Sequence, residues 1–171
     1  MVAKKITLEI FDPHDLKAEC VDTVLELENN LRPQDRADLE AVGGDIGFNI
    51  IKSIRLSDVV HIYRGEKGEL LCLLGKGPIS FEVPGRSVWM LGTNAIIDGG
   101  YVKDLLFKEA RKVIGEWAGQ HGLLHNVVYS KNVRSMVYLT RLGAVWLPET
   151  IVCTDDTEWC KFYITGKGGT N

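Results

Sequence analysis

The chain has 171 residues, a length that fits one domain with its own hydrophobic core. Hydrophobic residues make up 45% and charged residues 25%, as in an ordinary globular protein. A net charge of −3 argues against a broad attraction to nucleic acid or to an anionic membrane. Because there is no apolar run of about 20 residues and no pattern of a secretory signal, we expect a cytoplasmic protein without a membrane span.

The cysteine pattern argues against both disulfides and a structural metal. The cysteines form no Cys-x-x-Cys pair and have no histidine at a zinc-binding spacing; they are Cys20, Cys72, Cys153 and Cys160. Cys72 lies in an apolar run and is expected to behave as a small buried hydrophobe. We therefore expect free thiols in a reducing compartment and no bound metal.

The first half of the chain predicts a strand, three helices and a hairpin. Alternation indicates strands, apolar residues at helical spacing indicate helices, and Gly or Pro pairs separate them. The predicted elements are a strand 4–11, a helix that begins at Asp12-Pro13 and ends before Pro33, a short helix 33–41 that is acidic on its outer face, a third helix around 48–56, and a hairpin of strands 59–64 and 69–74.

The second half continues with strands and helices in alternation. The predicted elements are a loop or irregular strand 79–84, a long strand Ser87–Ile97, an amphipathic helix Tyr101–Gln120, a strand around Val127, a helix Asn132–Leu142, a strand 144–147, an acidic loop Pro148–Asp156 and a last strand Trp159–Ile164. This order predicts a single α/β domain with a mixed sheet and helices packed on it.

One segment carries a family resemblance. Asn132 opens a helix that closes at Leu142-Gly143, between two apolar runs. This arrangement resembles the second half of the acetyl-CoA core in the GCN5-related N-acetyltransferase (GNAT) superfamily. Further matches, to the GNAT-like proteins of short-tailed bacteriophages, some of them internal virion proteins, are Ser57-Asp58 before the hairpin, Gly75 after it and Trp89–Thr93 on the long strand.

The resemblance implies one GNAT-like domain, 1–171, with a mixed, mostly antiparallel sheet flanked by helices and a splayed cofactor cleft. Residues 1–57 would supply the first strand and the acceptor-side helices, 58–147 the core, and 148–171 an acidic loop, the last strand and the tail. It implies an enzyme that moves an acetyl group from acetyl-CoA to an amine of a small molecule or a protein by direct attack. Backbone N–H groups between Met90 and Ala95 would polarise the carbonyl.

The resemblance also implies site residues. The family holds its cofactor by pairing with a strand edge and by backbone N–H groups at a helix N-terminus. The implied cofactor-binding residues are Ala95, Ile96, Ile97, Gly99, Gly100, Tyr101, Lys103 and Asn132. The implied catalytic residues are Tyr138, as the acid that protonates the departing thiolate, and His125 and Thr93 near the amine. Further candidates for the base are His61, Glu69 and Asn94.

The sequence departs from the family's pattern at two points. The phosphate-loop arginine is missing and Asp98 adds a negative charge there, while Leu139 occupies the family's tyrosine position and Tyr138 lies about 100° round the helix from it. A second interpretation therefore stays open: a catalytically degenerate GNAT scaffold that serves as a virion component or binds a host protein. The acidic balance disfavours a third interpretation, a nucleic-acid binder.

Overall fold

The structure, a computed structural model, describes residues 3–14, 18–78, 85–153 and 156–166. Within these ranges one mixed sheet has the strand order β1-β2-β3-β4-β5-β7-β6. The strands are β1 Thr7–Phe11, β2 Val59–Arg64, β3 Leu70–Gly77, β4 Arg86–Gly92, β5 Leu123–Tyr129, β6 Val145–Val152 and β7 Glu158–Thr165. The helices are α1 Ala18–Asn30, α2 Pro33–Val42, α3 Ile46–Arg55, α4 Ala95–Asp98, a π-helix Val102–Ala110 that runs directly into α5 Arg111–His121, and α6 Val133–Arg141.

Each face of the sheet packs against its own apolar core. Helices α1 to α3 cover one face, where Leu27, Ile50 and Leu73 belong to a single buried cluster. The π-helix and α5 cover the other face, where Leu105 and Ile114 belong to a second cluster. Burying one such aliphatic side chain contributes about 1.5–3 kcal/mol, so the two cores fix the sheet between two helical layers.

All neighbouring strands in the sheet are antiparallel except one pair. Strands β4 and β5 run parallel and pair only at Arg86–Leu124 and Ser87–His125, after which they diverge. The predicted single α/β domain with a mixed, mostly antiparallel sheet is therefore confirmed, and so are the hairpin, α2 and α3.

The predicted long strand Ser87–Ile97 is wrong in its second half. Strand β4 ends at Gly92. Thr93 still contacts β3, with its N–H donating to the Leu71 carbonyl at 2.8 Å and its hydroxyl donating to the Leu70 carbonyl at 2.6 Å. Residues Ala95–Asp98 then form the helical turn α4, in which Ile96 is fully buried. An apolar run of this length is compatible with either a strand or a buried helical turn, and periodicity alone does not separate them.

Three other boundaries differ from the prediction. The Asp12 carboxylate accepts from the His14 N–H at 2.9 Å in a turn, and the described part of the first helix begins only at Ala18. The predicted acidic loop from Pro148 is largely strand, because β6 is an edge strand that leaves its polar side chains exposed. The predicted helix 101–120 begins as a π-helix, and the segment 79–84 lies outside the described residues.

In the described part of the chain, no helix is long and apolar enough to cross a membrane.

Candidate active site

A cavity of about 380 Å³ lies where β4 and β5 diverge. Val88 and Met90 line it from one face of β4 and Trp89 and Leu91 from the other, so the cavity passes through the gap in the sheet. Helices α2 and α6 also contribute to its wall. The cavity is thus formed by the same loss of strand pairing that divides the sheet.

The side chain of Asn126 ends the pairing between β4 and β5. Its Nδ2 donates to the backbone carbonyl of Val88 at 2.8 Å, and its Oδ1 accepts from the Val127 N–H at 2.8 Å. The next backbone pair of a continuing ladder would form here, after Ser87–His125. Because the amide occupies one backbone group on each strand, the strands separate from this point onward.

The backbone of Met90 faces the gap. The backbone N–H and C=O groups that point from β4 toward β5 belong to every second residue of the strand. The Val88 carbonyl accepts from Asn126, and the Gly92 N–H donates to Asp35 at 2.7 Å, so both residues face the β5 side. Met90 lies between them in the alternation, and its N–H and C=O therefore point into the cavity.

An ion pair anchors the end of β4 to α2. Arg32 Nη2 and Asp35 Oδ2 are 2.7 Å apart, and both side chains are buried. The same carboxylate oxygen accepts from the backbone N–H of Gly92, while the backbone N–H of Arg32 donates to the Gly92 carbonyl at 2.9 Å. Both backbone groups of Gly92 are thus satisfied by α2 and the residue before it, which holds the edge of the cavity in place.

Asp38 presents an unpaired oxygen at the cavity. Its Oδ2 accepts from Asn132 Nδ2 at 2.8 Å, whereas its buried Oδ1 has no hydrogen-bond partner among the described residues. The pKa of the Asp38 carboxyl is raised to about 6. Burial is the main cause and the charge of Asp35 adds to it, while the hydrogen bond from Asn132 and the charge of Arg32 oppose the shift. The Asp38 carboxyl therefore changes its charge near neutral pH.

Sequence reasoning missed Asp35 and Asp38. It placed the acidic side of the second helix on the outer face, but Asp35 is 2% exposed and both side chains line the cavity. The available signal was their spacing of three residues, which puts both on one face of a helix. Without the position of the sheet, that face is not distinguishable from a solvated one.

Only one of the three predicted catalytic residues lines the cavity. Tyr138 does, and its hydroxyl donates to the backbone carbonyl of Leu106 at 2.9 Å, with burial raising its pKa. His125 is outside the cavity lining, its Nε2 is buried without a hydrogen-bond partner among the described residues, and desolvation lowers its pKa. Thr93 is 1% exposed and its hydroxyl is committed to the Leu70 carbonyl.

The other base candidates also lie away from the cavity lining. The His61 ring packs edge-on against Trp117 with centroids 5.1 Å apart, beneath α5. The Glu69 carboxylate accepts from the Tyr101 hydroxyl at 2.9 Å beside the hairpin turn. Asn94 precedes α4 and has an exposed side chain. The structure gives these residues packing and turn roles.

The turn after β4 does not form the predicted phosphate cradle from its glycines. The N–H groups of Gly99, Gly100 and Tyr101 donate within the chain, at 2.9, 3.0 and 2.8 Å, to the carbonyls of Ala95, Ile97 and Ile96. They are therefore unavailable to an anion in this conformation. Ala95, Ile96 and Ile97 belong to a helical turn instead of a strand edge, although Ile96 and Ile97 do line the cavity.

The remaining predicted cofactor residues differ in their surroundings. Tyr101 is buried and its hydroxyl accepts from the Glu66 N–H at 2.9 Å, so its side chain holds the hairpin. Lys103 is exposed in the first turn of the π-helix, where helix geometry leaves N–H groups without an intrahelical acceptor. Asn132 caps α6, its Oδ1 accepting from the Ser135 N–H at 3.1 Å, as predicted.

Comparisons with known proteins identify the fold. No protein-family model and no curated protein matches the sequence. An aminoglycoside N(6′)-acetyltransferase from Legionella pneumophila matches over 96% of this chain and 94% of its own, with a TM-score of 0.63 and 14% identity. A spermidine N-acetyltransferase from Vibrio cholerae, solved with CoA and spermine, matches over 93% and 94%, with a TM-score of 0.58 and 11% identity.

A third solved structure, provisionally assigned as a phosphinothricin N-acetyltransferase, matches over 95% of this chain and 99% of its own, with a TM-score of 0.66 and 12% identity. At these identities the likeness shows the fold alone. The chain has the single-domain α/β fold of the GNAT N-acetyltransferases, as the sequence predicts. The finer resemblance to phage proteins stays a prediction.

Proposed function

We propose that the protein is an N-acetyltransferase that transfers an acetyl group from acetyl-CoA to an amine. The observation that carries this proposal is the backbone of Met90, turned into a cavity between two diverging strands, in a chain with the fold of N-acetyltransferases. A free strand edge beside an apolar cavity suits an extended, amide-containing arm that pairs like an added strand.

Some parts of acetyl-CoA have clear binding groups among the described residues, and its diphosphate has fewer. The edge of β4 at Met90 and the apolar side chains of Ile96 and Ile97 would hold the arm of acetyl-CoA. The diphosphate would rest against Lys103 and the first N–H groups of the π-helix, since those of Gly99 and Gly100 are already used. When bound, acetyl-CoA supplies the activated acyl group, and the Met90 N–H is placed to donate a hydrogen bond at the gap.

Tyr138 remains the proposed proton donor for the departing thiolate. It lines the cavity, and its raised pKa keeps the hydroxyl protonated at neutral pH. Its present hydrogen bond to the Leu106 carbonyl would have to be exchanged for one to the donor. His125 and Thr93 have no such access, and we do not assign them a chemical role.

Isothermal titration with acetyl-CoA tests the proposal. We expect micromolar affinity for the unmodified protein and at least a tenfold loss in Ser135→Trp, because Ser135 lines the cavity and an indole would fill it. The matched control is Val133→Trp on the same helix, whose side chain is 62% exposed and which should bind normally. Equal affinities for both variants would place the binding elsewhere.

A second candidate function has one observation in its favour. The hydrogen bonds that engage Gly99, Gly100 and Tyr101 suit a scaffold that no longer binds a diphosphate. The protein would then act as a virion component or bind a host protein in the cytoplasm of an infected cell. No heat of binding at millimolar acetyl-CoA would reject the enzyme and favour this function.

A further inference from the structure

We propose that Asp38 Oδ1 is the atom that accepts the proton from the acceptor amine, and that Asn132 positions it. This inference rests on the proposed acetyltransferase function and names the base that the sequence does not reveal. Two observations outside titration support it: Asp38 lines the cavity, and its Oδ1 is buried with no hydrogen-bond partner among the described residues.

The carboxylate is held at one oxygen and open at the other. Asn132 Nδ2 fixes Oδ2 at 2.8 Å, and Asn132 is itself fixed by capping α6 and is 3% exposed. A buried acceptor without a partner costs about 1–3 kcal/mol in the folded protein. A ligand N–H that bonds to Oδ1 would remove this penalty, so the group favours a hydrogen-bond donor in the cavity.

The charges around Asp38 favour a cationic donor. Asp35 and Arg32 form an ion pair, in which the charge of Asp35 has the larger effect on Asp38, and Arg134 and Tyr138 line the same cavity from α6. Within the described residues, β4 and β5 add no charged side chain to the lining. The Asp38 carboxylate, with no ion pair to Arg134 within 4 Å among those residues, is therefore available to an ammonium group.

The same helix indicates the class of amine. Leu39 and Val42 follow Asp38 on α2 and also line the cavity, and Val42 is 60% exposed and so lies at the rim. An amine that enters the cavity at this rim would lie against these apolar side chains. The acceptor that fits is a primary amine whose nitrogen is attached to an apolar carbon chain.

The proton transfer balances as follows. The bound ammonium group first gives one proton to Asp38 Oδ1, and the neutral amine nitrogen then forms a bond to the acyl carbon. The carbon–sulfur bond breaks with its electron pair on sulfur, sulfur takes the proton of the Tyr138 hydroxyl, and the second proton lost by nitrogen restores that hydroxyl. The protonated carboxyl then releases the proton to water. A carboxyl group titrating near neutrality suits both steps, because proton transfer is most effective when the pKa of the base lies near the working pH.

The test compares pH profiles of kcat/KM for acetyl transfer to n-hexylamine, with acetyl-CoA affinity measured alongside. In Asp38→Asn we expect acetyl-CoA affinity within about twofold of the unmodified protein and kcat/KM lower by about 10²–10⁴. In Asp38→Asn, the increase of kcat/KM with pH that is centred on the pKa of Asp38 should disappear. The increase that reports deprotonation of the amine substrate should remain. The matched control is Glu40→Gln, an exposed residue on α2 that should leave kcat/KM unchanged.

A second variant separates positioning from folding. Asn132→Ser keeps a good N-cap but loses the amide that donates to Asp38. That hydrogen bond favours the charged carboxylate, so its loss should move the rising limb of the kcat/KM profile to higher pH by about half a unit to one unit. A purely structural role for Asn132 would not move the limb.

The outcomes distinguish the two proposals. Absence of acetyl-CoA binding by the unmodified protein would overturn the proposed function itself. Normal binding with an unchanged kcat/KM in Asp38→Asn would overturn the role of Asp38 alone. Normal binding without any transfer to n-hexylamine would overturn the inferred class of amine. An unshifted limb in Asn132→Ser would remove Asn132 from the mechanism.

Discussion

Two aspartates, Asp35 and Asp38, lie three residues apart on the same face of α2 and differ in how fully their carboxylates are hydrogen-bonded. Asp35 Oδ2 accepts from Arg32 and from the Gly92 N–H, which joins α2 to the end of β4. Asp38 bonds to Asn132 through one oxygen and leaves the other buried without a partner among the described residues. Both carboxylates line one cavity, so their difference arises from the partners each one meets.

The difference separates a structural carboxylate from one suited to chemistry. Buried polar groups in native proteins are almost always hydrogen-bonded, and each exception calls for an explanation. The bonds of Asp35 are explained by the fold, because they hold the cavity edge at Gly92. The open oxygen of Asp38 stabilises nothing in the described structure, and a ligand in the cavity is the explanation we propose.

The largest expected effect comes from removing the structural carboxylate. Asp35→Ala leaves the buried Arg32 guanidinium without its counter-charge, and such a loss costs about 3–5 kcal/mol of unfolding free energy. Urea denaturation followed by circular dichroism measures it. The control is Asp22→Ala, at an exposed position on α1, which should change stability by no more than about 0.5 kcal/mol. A cost below about 1 kcal/mol for Asp35→Ala would remove the distinction between the two aspartates.

A smaller effect is expected at Gly92, where the ion pair meets β4. A Cβ built there lies 2.7 Å from Ile96 Cδ1 and 2.9 Å from Arg32 Nε, so Gly92→Ala should cost about 1–3 kcal/mol. In Gly115→Ala on α5, a Cβ meets nothing within 4 Å, and the free energy of unfolding should rise by about 0.5–1 kcal/mol. Urea denaturation measures this free energy for both variants. If Gly92→Ala also raised it, the packing at Gly92 would not be tight.

The smallest expected effect is the pH dependence of stability that Asp38 causes. Its folded pKa lies above the ordinary 3.8, so the stability it contributes is present in acid and is lost as the pH rises through about 6. Between pH 4 and 7, the unmodified protein should therefore lose about 1 kcal/mol relative to Asp38→Asn. Urea denaturation at several pH values measures the difference, and an unmodified protein that becomes more stable relative to Asp38→Asn as the pH rises would reverse the assignment.

The elements with strong local signals were predictable from sequence. The hairpin, α2, α3 and the Asn132 cap follow from alternation, helical spacing and turn residues. Three residues of the family resemblance also meet in one place: Trp89 Nε1 donates to Ser57 Oγ at 2.9 Å, and a Cβ on Gly75 would overlap the Trp89 ring. Their presence in the pattern thus has a packing reason that is independent of chemistry.

The candidate site was less predictable, because its properties depend on contacts between distant segments. Asp38 and Asn132 are 94 positions apart, and nothing local to either residue shows that one oxygen stays open. The glycines after β4 looked available for a phosphate, but backbone acceptors within the same turn already use their N–H groups. Hydrogen-bond satisfaction is a property of the folded chain, and composition does not report it.

The amide of Asn126 sets how deep the opening between the two halves of the sheet can be. Each residue of a strand spans about 3.3 Å. If the same amide lay two positions further along β5, strands β4 and β5 would stay paired for about 6.6 Å more before they separate. The inward and outward alternation would be unchanged by a shift of two, but the amide would then replace Val128, which belongs to a buried core. A change of depth therefore takes two substitutions, one of them in the core. The evolution of this binding space is thus tied to the stability of the layer beneath it.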